Sequence, residues 1–76
     1  MSVIVYSKPG CGQCVATTRK LDKDKVVYDK VDVSRDPEAL QRVLELGYSQ
    51  VPVVVTEDDH WYGFQPDKLD ELKLAA

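Results

Sequence analysis

Cys11-Gly12-Gln13-Cys14 contains the only two cysteines of a 76-residue chain, and the pair stands between a strand-like run and a helix-like run. Two thiols separated by two residues can share the first turn of a helix, close enough to form a disulfide and open it again as one unit. No other part of the chain offers comparable chemistry. The elements on either side of the pair therefore decide the reading of the whole chain.

Ser2-Val3-Ile4-Val5-Tyr6 is nearly all apolar and rich in β-branched residues, which suits a central strand covered on both faces, and Lys8-Pro9-Gly10 ends it. After the dithiol, Cys14, Val15, Thr18 and Leu21 approximate one helical face, while Arg19, Lys20, Asp22 and Lys23 can point to water. Val26-Val27-Tyr28, then Val31 and Val33 alternating with Lys30 and Asp32, predict a second strand and close a βαβ unit. Such crossovers are right-handed and join parallel strands.

Asp36 predicts the cap of a second helix with Pro37 in its first turn, Leu40, Val43 and Leu44 on one face, and Gly47 at its stop. Val53 to Thr56, Glu57-Asp58-Asp59 and His60-Trp61-Tyr62 read as strand, polar turn and strand, an antiparallel hairpin. Pro66 opens a last helix, with Phe64 placed to staple against Leu69 and Leu72 continuing the buried face. The expected fold is α/β in the order β-α-β-α-β-β-α, a four-stranded mixed sheet with three helices. Residues 1–76 are expected to form one domain, since this length supports a thin core and no second module.

A formal net charge of −3 with interspersed signs gives no basic face for nucleic acid or an anionic membrane. Met1 to Tyr6 lacks the charged start and long apolar region of a signal peptide, and no stretch approaches a membrane span. The expected setting is the cytoplasm, where a cycling disulfide is favoured over a permanent one. Proteins or small thiols are the expected partners, and a monomer the expected state.

The attacking species must be a thiolate that stays exposed enough to meet a partner's disulfide. Cys11 fits: at the positive end of a helix starting near Gly12 it has backbone N–H groups available to its sulfur, with the Lys8 cation close in sequence. Cys14, one turn further in, is expected to be more buried and to resolve the mixed disulfide. A solvated loop charge is the other reading of Lys8. Half of a zinc site needs a second pair of ligands, and the chain offers only His60, itself read as a solvent-facing hairpin residue. A purely structural disulfide would close too short a loop to stabilise much.

The element order, with a dithiol opening the first helix, resembles the thioredoxin fold in its small glutaredoxin-like form over nearly the whole chain. Lys8-Pro9-Gly10-Cys11-Gly12-Gln13-Cys14, Gln50-Val51-Pro52-Val53 and Trp61-Tyr62-Gly63-Phe64-Gln65-Pro66-Asp67-Lys68-Leu69 resemble the NrdH-redoxin family, the small dithiol proteins that reduce class Ib ribonucleotide reductase. The resemblance implies a cis Val51–Pro52 bond whose neighbouring backbone pairs with an extended substrate segment. It implies partner contacts at Lys8, Gly12, Gln13, Val51, Pro52, Trp61 and Phe64, although Trp61 and Phe64 also read as core or staple residues. It implies no bound cofactor and no metal, reduction by thioredoxin reductase with NADPH, and delivery of electrons to the reductase's large subunit. Gly12, Tyr62 and Gln65 depart from that pattern, which has a larger apolar residue, Ser and Arg there. The alternatives are a glutathione-dependent glutaredoxin, whose Gly-Gly and acidic residue are replaced here by Gly63-Phe64-Gln65-Pro66, and a non-catalytic thioredoxin-like binding module.

Overall fold

A computed structural model of the chain describes residues 2–75. In order these form β1 (Ile4–Ser7), α1 (Gly12–Lys23), β2 (Asp29–Asp32), α2 (Pro37–Glu45), β3 (Val53–Val55), β4 (His60–Tyr62) and α3 (Pro66–Ala75). The sheet runs β2-β1-β3-β4, with β1 and β2 parallel and the β1–β3 and β3–β4 pairs antiparallel. This is the thioredoxin-like, glutaredoxin-type architecture expected from the sequence.

Strand alternation divides the core between the two faces of the sheet. Val5, Val54 and Trp61 point to one face, where they meet Leu21 of α1 and Leu69 and Leu72 of α3. Tyr6 and Val53 point to the other, with Ala39 and Val43 of α2, and this cluster reaches Cys14 and Val51 at the dithiol end. Cys14 belongs to this second cluster and Cys11 packs against it, so buried apolar residues form the floor of the dithiol.

Three expectations are corrected. Val26-Val27-Tyr28 is not strand: Lys25 takes φ +58°, Lys25 N–H donates to Asp22 O at 3.1 Å, and Val26 N–H donates to Leu21 O at 2.9 Å. These two bonds make a Schellman closure of α1, in which Val26 packs beside Leu21 while Val27 stands 88% exposed. Strand pairing begins only where Asp29 N–H reaches Val3 O at 2.8 Å.

The helix faces also differ. On α1 the buried set is Cys14, Thr17, Thr18 and Leu21, and Val15 is exposed. Thr17 tolerates burial because its hydroxyl donates to Gln13 O at 2.8 Å. On α2 the buried residues are Ala39 and Val43, four apart, and Leu40 and Leu44 are turned half out. Asp36 caps α2 as expected, its carboxylate accepting from the N–H groups of Glu38 and Ala39 at 3.1 Å each. Gly47, at φ +95°, closes it as expected.

Phe64 is the third correction. It is 38% exposed and lies outside both core clusters, so it is an edge residue and not a core one. Leu69 is fully buried in the cluster that holds Val5, Val54 and Leu21.

Candidate active site

The end of β1 passes through Lys8-Pro9-Gly10 and enters α1 at Cys11, which occupies the N-cap in an extended conformation. Its sulfur takes the place of the oxygen that a Ser or Asp cap would offer, accepting from Cys14 N–H at 3.1 Å. Cys11 O accepts from Val15 N–H at 3.2 Å, the first helical bond. The first turn contains no acidic residue. Cys11 therefore holds its sulfur where free N–H groups and the positive end of the helix converge, with no competing anion in that turn.

Cys11 and Cys14 are joined in a disulfide, with their Cα atoms 5.2 Å apart. The two sulfurs differ in access: Cys11 is part-exposed, whereas Cys14 is 3% exposed and packs with Tyr6, Val33 and Val51. Only Cys11 can meet an incoming disulfide first. The Cys14 sulfur belongs to the apolar cluster beneath.

The Val51–Pro52 peptide bond is cis. Val51 O lies 3.7 Å from Cys11 Sγ, and Pro52 is fully buried below it. Pro52 O accepts from Gly63 N–H at 2.8 Å, tying this loop to the turn after β4. That turn is in turn tied to the dithiol helix, because Phe64 N–H donates to Gln13 Oε1 at 3.1 Å. Hydrogen bonds thus link these residues into one patch, with Cys11, Gln13 and Phe64 at its surface over the buried Val51, Pro52 and Gly63.

Lys8 is exposed and borders two shallow grooves, one of about 350 Å³ beside Cys11 and one of about 130 Å³ between Val33, Leu40 and Val51. Lys30 lines the first groove as well. Sequence reading missed it; the signal was its register, since Lys30 pairs with Val5 two residues before the strand end that leads to the dithiol. Gly12 is exposed and an added Cβ would meet nothing within 4 Å, so close packing does not require a glycine there.

Trp61 is not part of this patch. At 6% exposure it belongs to the core between the sheet and α3, with Lys68 Nζ 5.6 Å from its ring centroid, so of its two expected roles it takes the core one. A cleft of about 340 Å³ near Trp61, Asp59 and Lys68 shares no residue with the dithiol loop. His60 is held on the hairpin by Tyr48, Oη to Nδ1 2.7 Å. Among the described residues no group of three His, Cys, Asp or Glu side chains is arranged to hold a metal ion, and no helix is long and apolar enough to cross a membrane.

The comparisons with known proteins agree with this geometry. The protein-family model described as Glutaredoxin matches residues 3–61. The chain is 35% identical over 75 residues to the glutaredoxin-like protein NrdH of Escherichia coli K12, covering 99% of this chain and 93% of that protein. It is 45% identical over 74 residues to the gene 56 protein of Mycobacterium phage D29, covering 92% of this chain and 80% of that one. Its structure superimposes on that of NrdH-redoxin from Escherichia coli with a TM-score of 0.91 at 35% identity, over 95% of each chain.

Proposed function

The chain belongs to the glutaredoxin family and, within it, to the glutaredoxin-like NrdH proteins, and from that premise we propose that it is the dithiol electron donor to class Ib ribonucleotide reductase. It is a thiol-disulfide redox protein with a Cys-x-x-Cys active site. In the proposed cycle, thioredoxin reductase regenerates the dithiol with electrons from NADPH, and the protein works as a cytoplasmic monomer that carries no cofactor of its own.

The observation that carries the chemistry is the unequal access of the two sulfurs at one helix end. The Cys11 thiolate, favoured by the α1 N-terminus, attacks one sulfur of the target disulfide. A Cys11–target S–S bond forms and the target's second sulfur leaves as a thiolate. The Cys14 thiolate then attacks Cys11 Sγ, expelling the target's first sulfur. Two electrons pass to the target, which takes up two protons, and the Cys11–Cys14 disulfide of the present structure is left.

The choice of reductant rests on the β4–α3 turn. Gly63-Phe64-Gln65-Pro66 replaces the Gly-Gly and acidic residue that hold glutathione in glutaredoxins, and its backbone is already engaged by Pro52 and Gln13. A coupled NADPH assay tests the proposal, with the oxidised class Ib large subunit as acceptor and two regenerating systems in parallel. Turnover is expected with thioredoxin reductase. Turnover only with glutathione and glutathione reductase would overturn the assignment.

A further inference from the structure

Gln13, between the two cysteines, is exposed, yet its amide is not free to turn. Its Oε1 accepts from Phe64 N–H at 3.1 Å, across 51 residues of sequence. A backbone N–H can only donate, so this bond assigns the amide: the carbonyl faces the turn and Nε2 faces away from it. Gly63 makes the approach possible. A Cβ there would stand 3.3 Å from Oε1, closer than side chains ordinarily pack, and the residue sits at φ +87°.

Among the described residues nothing accepts from Nε2. An exposed glutamine normally spreads over many rotamers, and ordering it on binding costs affinity. Here the intramolecular bond has already met that cost. Two N–H donors therefore stand in a fixed direction on the exposed side of the dithiol turn, two residues from Cys11.

We propose that Gln13 is a positioning residue for protein substrates: Nε2 donates a hydrogen bond to a backbone carbonyl beside the target disulfide, while Oε1 keeps the amide oriented through Phe64. The acceptor is a peptide carbonyl, so the contact discriminates polypeptide disulfides from small ones. The inference rests on the reading of this chain as a donor to protein disulfides, though not on which protein is the physiological target.

Two substitutions separate the halves of the amide. Gln13→Glu keeps an oxygen for Phe64 N–H and replaces the outward donors with an acceptor; Gln13→Met removes both at similar size. Pre-reduced protein is mixed with insulin as the polypeptide disulfide, or with hydroxyethyl disulfide, which is neutral and too small to offer a peptide carbonyl. The expected result in both variants is a roughly tenfold fall in the ratio of insulin to hydroxyethyl disulfide rate constants, expressed as weaker saturation by insulin and not as a lower limiting rate. Retained reaction with hydroxyethyl disulfide reports that each variant is folded. Any general effect of the added carboxylate on Cys11 cancels in the ratio. An unchanged ratio in either variant, or a loss in Gln13→Met alone, would overturn the proposal. Neither assay contains thioredoxin reductase or ribonucleotide reductase, so a failed partner assignment is read separately in the coupled assay.

Discussion

Helices α1 and α2 solve the same end problems with different residues. Each leaves N–H groups unpaired at its start and carbonyls at its end. At α2 the anion is the Asp36 carboxylate, backed by Glu38 in the first turn and Pro37 at the first helical position. At α1 the cap is the Cys11 sulfur and the first turn has no acid. Both helices close with the Schellman pair of bonds, but the left-handed residue is Gly47 after α2 and Lys25 after α1. Helix α2 thus uses the stabilising choice at both ends. At its start α1 instead keeps the positive end for a reactive sulfur, and at its finish it accepts a left-handed lysine so that Val26 can pack against Leu21.

The largest expected effect comes from exchanging one kind of cap for the other. Serine is a good N-cap, so Cys11→Ser should leave thermal stability, measured on reduced proteins, close to that of the native chain while abolishing disulfide reduction. Cys14→Ser should still attack and then stop, accumulating a covalent mixed disulfide visible as added mass under non-reducing conditions. Full turnover by Cys14→Ser would mean that the buried sulfur is not the resolver.

The converse change at α2 should touch stability alone. Asp36→Ala removes the acceptor of two backbone N–H groups and should cost about 1 kcal/mol. Denaturant midpoints measure this, and the reaction with hydroxyethyl disulfide should stay unchanged. A fall in that rate would show that α2 also controls the dithiol, which sits in the same apolar cluster.

This contrast also explains what was legible in the sequence. The bounds of α2 could be read because Asp36, Pro37 and Gly47 each act through their own backbone. Cys11 could be placed at the start of α1 from the strand before it and the helical spacing after it. Lys25 carried no such sign: nothing in its chemistry favours a left-handed backbone, so the apolar run from Val26 to Tyr28 looked like strand. Its conformation is set by tertiary packing of Val26, which a local pattern does not contain. The same reason hid the clasp between Gln13 and Phe64. Gln13 was recognised by its place between the cysteines, but its partner is 51 residues away, and Phe64 contributes only its backbone.

If packing holds Lys25 in place, relieving its backbone should be a gain. Lys25→Gly keeps both closing bonds and removes the clash of a Cβ in the left-handed region, offset by the greater freedom of glycine when unfolded. The expected net stabilisation is below about 1 kcal/mol, with no change in redox turnover. A destabilised variant would show that the lysine side chain itself matters there.

The smallest effect concerns the last turn of α1, which ion pairs bind to α3. Lys20 Nζ meets Asp70 at 2.7 Å and Asp24 at 3.0 Å. The bond from Lys20 holds the Asp70 carboxyl below its ordinary 3.8, and the bonds from Asp70 and Asp24 hold the Lys20 ammonium above its ordinary 10.5. A carboxylate with a depressed value in the folded state stabilises above its unfolded value, and that contribution vanishes as pH falls through the folded one; a raised lysine contributes below its unfolded value and loses the contribution as pH rises through the folded one. The pair should therefore act across the whole interval from about pH 4 to about pH 10 and fade outside it. Because Asp70 is exposed and Lys20 only partly covered, the melting temperatures of native protein and Asp70→Asn should differ by at most a few degrees at pH 7 and low salt. The gap should close as pH is lowered below 3.8 and shrink in high salt. A gap that persisted once the Asp70 carboxyl was fully protonated would assign Asp70 a packing role instead, and the last turn of α1 would then be held, like Lys25, by shape and not by charge.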